Sequence, residues 1–215
     1  MAIEIDKIHV FRIIHYSNLE YILENGIYYR NSPHFDPNYR NIGSPEIINH
    51  RDSVPVKCYP DTTVNEYIPF YFGVRSPMLY KIKTGNGVPQ IPQNEIIYLA
   101  FKMTEITESE LQWCFTDGNA AKYITEFYNS TDDIDKLDWR SINATEWTDN
   151  NSDGDHDRMR KKHSEFLVKD NVPIKYLKGI IVLNENRKQQ VENILQNHNP
   201  EIKVIVDNEF KCYYR

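Results

Sequence analysis

EIIYLAFKM (residues 95–103) is an almost continuous apolar run bounded on its amino side by the polar PQN. It is far too short to cross a bilayer, and β-branched and aromatic residues dominate it, so it reads as the central strand of a sheet. A sheet therefore organises the chain.

Other segments join it. IHVFRII (8–14) reads as a first strand. SNLEYILENG then carries a capping box of Ser17 and Glu20, an apolar face of Leu19, Ile22 and Leu23, and Gly26 as a stop, which predicts a short helix. IYYR and the aromatic run YIPFYF read as further strands. Ser76-Pro77 is an N-cap followed by a proline at the first helical position, and Gly85 ends that helix. CFTDGNAAKYITEFYN predicts a short strand, a turn at Asp117-Gly118 and a helix with Ala121, Ile124, Phe127 and Tyr128 on one face. GIIVL (179–183), NENRKQQVENILQN, IKVIVD and EFKCYYR read as strand, amphipathic helix and two closing strands. Residues 31–66 and 129–157 are polar, and loops of that length are usually functional or mobile.

Short strands, few helices and no regular βαβ alternation predict an α+β domain rather than a doubly wound sheet. With no internal repeat and no linker, residues 1–215 form one domain, long enough to bury a sizeable core.

Several function classes fall away. A net charge of −6 excludes a protein that coats nucleic acid with its whole surface, so any polyanion site must be local. Cys58, Cys114 and Cys212 are far apart and form no CxxC pair, which suits reduced thiols in the cytoplasm. The amino terminus has no apolar h-region and no long apolar run follows, so secretion and membrane spanning are disfavoured. A dinucleotide GxGxxG and a P-loop are both absent. DNNSDG (149–154) matches the front half of a calcium loop, but Arg160 stands at the twelfth position, where a bidentate Glu is needed. His156 and His163 have no HExxH arrangement, and no metal is expected.

What remains is a set of dispersed charges. Alternation puts Arg12 on the face of Ile8, Val10 and Ile14, where an unpaired guanidinium is expensive and calls for an anion. Arg51 lies in the Pro-rich loop and Arg75 at a helix start. Arg158, Arg160, Lys161 and Lys162 form the basic run RMRKK just before Glu165. Taken singly, each is an ordinary solvated charge. Taken together with the aromatics of YIPFYF, they suggest a groove for phosphates with rings on which bases stack.

FRIIHYSNLEYILENGI, IGSPEIINHRDSVPV, YIPFYFGVRSPMLY, CFTDGNAA, DKLDW and HSEFLV, in that order, resemble the DarT family. Its members are bacterial toxins that ADP-ribosylate bases in single-stranded DNA. The resemblance implies an ADP-ribosyltransferase fold, a split β-sheet core with a few flanking helices and long substrate loops. Such a core grips NAD, the substrate, without a Rossmann fingerprint. It further implies that Arg12, His15 and Asn18 line the NAD pocket and that Arg51 faces the pyrophosphate or the reacting centre. Tyr71 would pack on nicotinamide and Glu165 would be the catalytic carboxylate. Arg75, Arg158, Arg160, Lys161 and Lys162 would hold the DNA backbone, and Trp139 or Trp147 would stack on a base or else anchor its loop. Two positions depart from the family pattern: Arg12 stands where some relatives carry His, and Asn119 where relatives often do.

The chemistry asks for these residue types. Loss of nicotinamide builds an oxocarbenium-like centre that a fixed carboxylate stabilises, and the same carboxylate is a candidate base for the proton on the accepting nitrogen. The expected activity is NAD-dependent transfer of ADP-ribose to thymidine in single-stranded DNA by a monomeric cytoplasmic toxin, opposed by a macrodomain antitoxin. A guanine-directed relative, an NAD-dependent RNA 2′-phosphotransferase and a non-catalytic single-strand-binding module are the readings left open.

Overall fold

The computed structural model describes residues 3–215; Met1 and Ala2, the start of the segment examined for an h-region, lie outside it. In chain order the strands are β1 His9–His15, β2 Ile27–Tyr28, β3 Pro55–Val56, β4 Tyr59–Thr63, β5 Tyr67–Tyr71, β6 Ile96–Lys102, β7 Trp113–Thr116, β8 Phe127–Tyr128, β9 Glu165–Lys169, β10 Asn171–Val172, β11 Leu177–Val182 and β12 Lys203–Val206. The helices are α1 Leu19–Asn25, α2 Pro45–His50, α3 Pro77–Thr84, α4 Met103–Thr107, α5 Trp139–Asn143, α6 Arg158–Lys162 and α7 Glu185–Gln196. Eight strands form one sheet in the order β12-β11-β6-β1-β5-β9-β7-β8, and β2/β10 and β3/β4 are separate ribbons. The architecture is α+β.

β6 is the apolar run, and it is buried on both faces. Ile97, Leu99 and Phe101 join one cluster with Leu19, Ile22 and Leu23 of α1 and Val191 and Leu195 of α7. Ile96 and Tyr98 point the other way, into a cluster with Leu79 and Ile82 of α3 and Tyr213 of the carboxy-terminal tail. A strand sandwiched between helical layers has no polar face to show, which is why it lacks alternation.

The sheet splits between β1 and β5. β1 pairs with β6 along its whole length, and β5 pairs with β9 along its own, yet β1 and β5 meet in register only where Phe11 faces Tyr71. Pro69 supplies a reason. In an antiparallel ladder a residue's N–H and C=O point to the same neighbour, so a proline there is a missing rung. The Pro69 carbonyl is turned toward β1, where it accepts from Arg12 Nη1 at 2.9 Å instead of from a strand amide.

Three expectations need correction. Ser17 does not close a capping box: its hydroxyl bonds His15 Nδ1 at 2.7 Å, and the N-cap of α1 is Asn18 without a side-chain cap. Residues 119–126 are a turn and not a helix, with Thr125 Oγ1 donating to Asn119 O at 2.8 Å and Glu126 N to Asp117 Oδ1 at 2.9 Å. EFKCYYR is not a strand but an irregular tail, in which Asp207 accepts from the amides of Lys211, Cys212 and Tyr213 at 2.7–3.0 Å. No helix among the described residues is long and apolar enough to cross a membrane.

Candidate active site

Glu165 is the first residue of β9 and lies opposite Tyr71 of β5 in antiparallel register, so the two side chains share a face of the sheet. Its amide donates to Thr116 Oγ1 at 3.1 Å, and that hydroxyl donates to Gly118 O at 2.6 Å, which ties the strand end to the turn after β7. The carboxylate is 1% exposed. Arg51, in the 3-10 turn after α2, reaches it: Nη2 donates to Oε1 at 2.6 Å and to Oε2 at 2.5 Å. The Ala120 amide donates to Oε1 at 3.1 Å. Burial would lower the proton affinity of the Arg51 guanidinium, but the charge and hydrogen bonds of Glu165 outweigh it and raise the pKa above its ordinary value.

Arg51 spends one nitrogen on both carboxylate oxygens, so its Nε is buried with no acceptor; Arg12 Nε is left the same way. Orphaned guanidinium donors are costly, because a buried donor forfeits its water without replacement. Both arginines line one cleft at the split, walled by Tyr28, Tyr29, Phe35, Tyr39 and Tyr67. Two cations with spare N–H groups between aromatic walls fit a diphosphate joined to flat heterocycles, which is the chemistry of NAD. Among the described residues no group of three or more His, Cys, Asp or Glu is placed to hold a metal.

Tyr71 stands over this centre. Its hydroxyl donates to Met78 Sδ at 3.4 Å, and burial, with the nearby Glu165 charge, pushes its phenol well above the usual value, so it stays neutral. The His163 ring lies 6.4 Å from the Tyr71 ring, and its Nδ1 is 2.8 Å from Met159 O.

The structure thus brings Glu165, Arg51, Arg12 and Tyr71 together and gives the other expected residues different partners. His15 is buried, with Nε2 donating to Glu95 Oε2 at 2.8 Å and Nδ1 accepting from Ser17 N at 3.1 Å. Burial, acting against Glu95, holds its pKa below the ordinary value. Asn18 bonds both backbone groups of Arg40, at 3.0 and 2.9 Å. Neither projects a free polar atom into the cleft; they brace the segment that carries Tyr39.

The basic run finds its partners within the protein. Arg158 is buried and bonds Asp153 and the Glu146 carbonyl, and Arg160 pairs with Asp117 at 2.9 Å and Asp157 at 2.7 Å. Lys161 pairs with Asp155 at 3.1 Å and Asp138 at 3.5 Å, while Lys162 donates to Ile142 O at 2.6 Å. The acidic loop 129–157 folds back to supply the counter-charges, and the aspartates of the calcium-like segment are consumed by it. Arg75, at φ 51°, donates to Tyr213 O at 3.2 Å and to Phe210 O, so it latches the tail. Trp139 donates to Ile134 O at 3.2 Å and packs edge-on against Phe72, and Trp147 packs edge-on against Tyr80 at 5.6 Å. Both tryptophans anchor their loop.

Sequence reasoning missed the Ala120 amide, which no side-chain pattern reveals, and the wall of Tyr28, Tyr29, Phe35 and Tyr39. Those aromatics cluster in an otherwise polar, proline-bearing stretch, and that clustering was the available signal.

A family model described as "DarT: ssDNA thymidine ADP-ribosyltransferase, DarT" matches residues 11–214. A "DNA ADP-ribosyl transferase" of Escherichia coli O127:H6 (strain E2348/69 / EPEC) is 32% identical over 199 residues, covering 92% of this chain and 90% of its own. Thermus sp. 2.9 DarT in complex with ADP-ribosylated ssDNA superposes with a TM-score of 0.85 at 27% identity over 96% of both chains. The same protein in complex with NAD+ gives 0.82 at 27% identity over 100% of both chains. Thermosipho africanus DarTG in complex with ADP-ribose gives 0.75 at 25% identity, covering 94% of this chain and 50% of that one. The chain belongs to the DarT family of single-stranded DNA thymidine ADP-ribosyltransferases.

Proposed function

We propose that this chain cleaves NAD at its nicotinamide–ribose bond and transfers the ADP-ribose to a thymidine base in single-stranded DNA, with Glu165 and Arg51 at the reacting centre. One observation supports the site above all: a fully buried carboxylate held by an arginine whose Nε is buried without an acceptor at the split of the sheet.

Arg12 and Arg51 hold the diphosphate with the N–H groups they have to spare, and the tyrosine-rich wall stacks on the flat rings. Glu165 holds a ribose hydroxyl and stabilises the positive charge that grows on the sugar as nicotinamide leaves. Its burial strengthens that effect, because little water competes in such a site. The amide of Ala120 and the guanidinium of Arg51 keep the carboxylate aimed, so it needs no reorganisation when the charge appears.

Part of this reading is that the chain is the toxin of a pair, working as a cytoplasmic monomer against a macrodomain partner that removes the ADP-ribose. The likeness to the Thermosipho DarTG and three unpaired cysteines support it.

The test is incubation of the purified chain with NAD and single-stranded oligonucleotides that carry either thymidine or guanosine as the sole modifiable base, followed by mass spectrometry. An ADP-ribosyl adduct on the thymidine oligonucleotide, lost in Glu165→Gln, is expected. Adduct on guanosine alone would move the chain to a guanine-directed activity, and no adduct with no nicotinamide release would leave a binding module.

A further inference from the structure

The Glu165 oxygens already accept from Arg51 and Ala120, so the proton on the accepting base nitrogen needs a second acceptor. His163 is placed to be it. Its Nδ1 lies 2.8 Å from the Met159 carbonyl, and a carbonyl only accepts, so Nδ1 carries hydrogen. In the neutral ring the lone pair then sits on Nε2. That atom has no protein partner among the described residues and is not sealed from solvent. The ring centroid lies 6.4 Å from that of Tyr71, which faces Glu165 across the β5–β9 pair, and the imidazole feels the charges of Glu165 and Arg51, so His163 borders the catalytic carboxylate.

We infer that His163 Nε2 is the general base for the DNA acceptor. The bond from the thymine N3 to the ribose C1 forms as the bond from C1 to the nicotinamide nitrogen breaks. The electron pair of that bond leaves with neutral nicotinamide, and the N3 proton passes to Nε2. The inference rests on the reading of the chain as a thymidine ADP-ribosyltransferase.

The charged and titratable groups facing His163 are Glu165 of β9, Arg51 of the turn after α2, Lys81 of α3 and the Tyr71 phenol of β5. Burial, with Lys81 and Arg51, outweighs the Met159 carbonyl and Glu165 and holds the imidazole below its ordinary value of 6.5, so it is neutral at pH 7. The transfer rate therefore falls on the acid side as pH drops through that lowered value.

Two variants test this, His163→Ala and His163→Asn, whose amide keeps a donor for the Met159 carbonyl. Each is assayed for nicotinamide release without DNA, for kcat and KM of transfer to a thymidine oligonucleotide, and for transfer to the same oligonucleotide with 5-fluorodeoxyuridine, whose N3 proton is more acidic. We expect both variants to lose about 10²–10³-fold in kcat on thymidine, to lose less in nicotinamide release without DNA, and to recover at least tenfold on the fluorinated base. The acid limb of the parent's kcat profile should vanish in both. An equal loss on the two bases, or a loss in nicotinamide release as large as that in transfer, would overturn the role, as would parental kcat in His163→Asn. A parent chain that labels neither base overturns the transferase reading itself, and this inference goes with it.

Discussion

At the scale of single residues, the site is a buried ion pair that also serves chemistry. Truncating either member leaves the other charge in a dry place, so Arg51→Ala and Glu165→Ala should each cost about 3–5 kcal/mol of stability. In a cycle of Arg51→Met, Glu165→Gln and the double variant, the double should cost less than the sum of its singles, and urea denaturation of these three and the parent chain measures the coupling. Glu165→Gln retains an acceptor for Ala120 and should keep the fold while lowering transfer by about 10²–10³-fold, read from single-turnover rates. Lys162 offers a second residue-level test. Burial lowers its pKa to about 8. Below pH 8 both folded and unfolded chains carry the proton; between there and the unfolded value of 10.5 only the unfolded chain does, so this lysine makes stability rise with pH in that window. The rise should reach about 2 kcal/mol by pH 9.5 and disappear in Lys162→Met, measured as the difference between the two chains' denaturation midpoints at pH 7, 8 and 9.5.

At the scale of elements, α6 and the acidic loop make one folded unit. Arg160 spans Asp117 in the turn after β7 and Asp157 at the start of α6, and a Cβ on Gly118 would meet its Nη1 at 2.3 Å. Arg160→Ala should therefore loosen the turn that holds Ala120 against Glu165. Nicotinamide release should fall, while the salt dependence of oligonucleotide binding stays that of the parent chain, because this cation has no phosphate to release. Gly73, just after β5, has a tighter constraint: a Cβ there would meet Ile142 O at 2.5 Å. Gly73→Ala should cost about 1–3 kcal/mol by forcing α5 away from β5, seen as a drop in Tm. Most strands were legible because β-branched and aromatic runs between turn residues have few other uses. The helix expected at 119–128 was not, because Tyr123 and Ile124, 93% and 62% exposed, mimic an apolar face while lying on an open turn.

At the scale of the whole molecule, the tail closes the fold. Tyr213 donates to Ile96 O at 2.8 Å and Ile181 O at 3.1 Å, and Tyr214 donates to Arg75 O at 2.6 Å, so the last residues staple β6 and β11 to the start of α3. Asp207→Ala, which removes the acceptor of three tail amides, should lose about 2 kcal/mol or more and raise amide exchange in α3 as well as in the tail. The amino-acid sequence by itself determined the sheet-centred α+β class and the order of its elements, because burial on two faces demands the unbroken apolar run of β6. It also singled out Arg12 as a guanidinium on an apolar face, while the family resemblance pointed to Arg51 and Glu165. Only the tertiary structure decided which cations are free. Arg158, Arg160 and Lys161 are a basic patch in sequence and internal ion pairs in space, since the fold turns the acidic stretch just before them, with Asp117 and Asp138 from farther along the chain, onto their side chains.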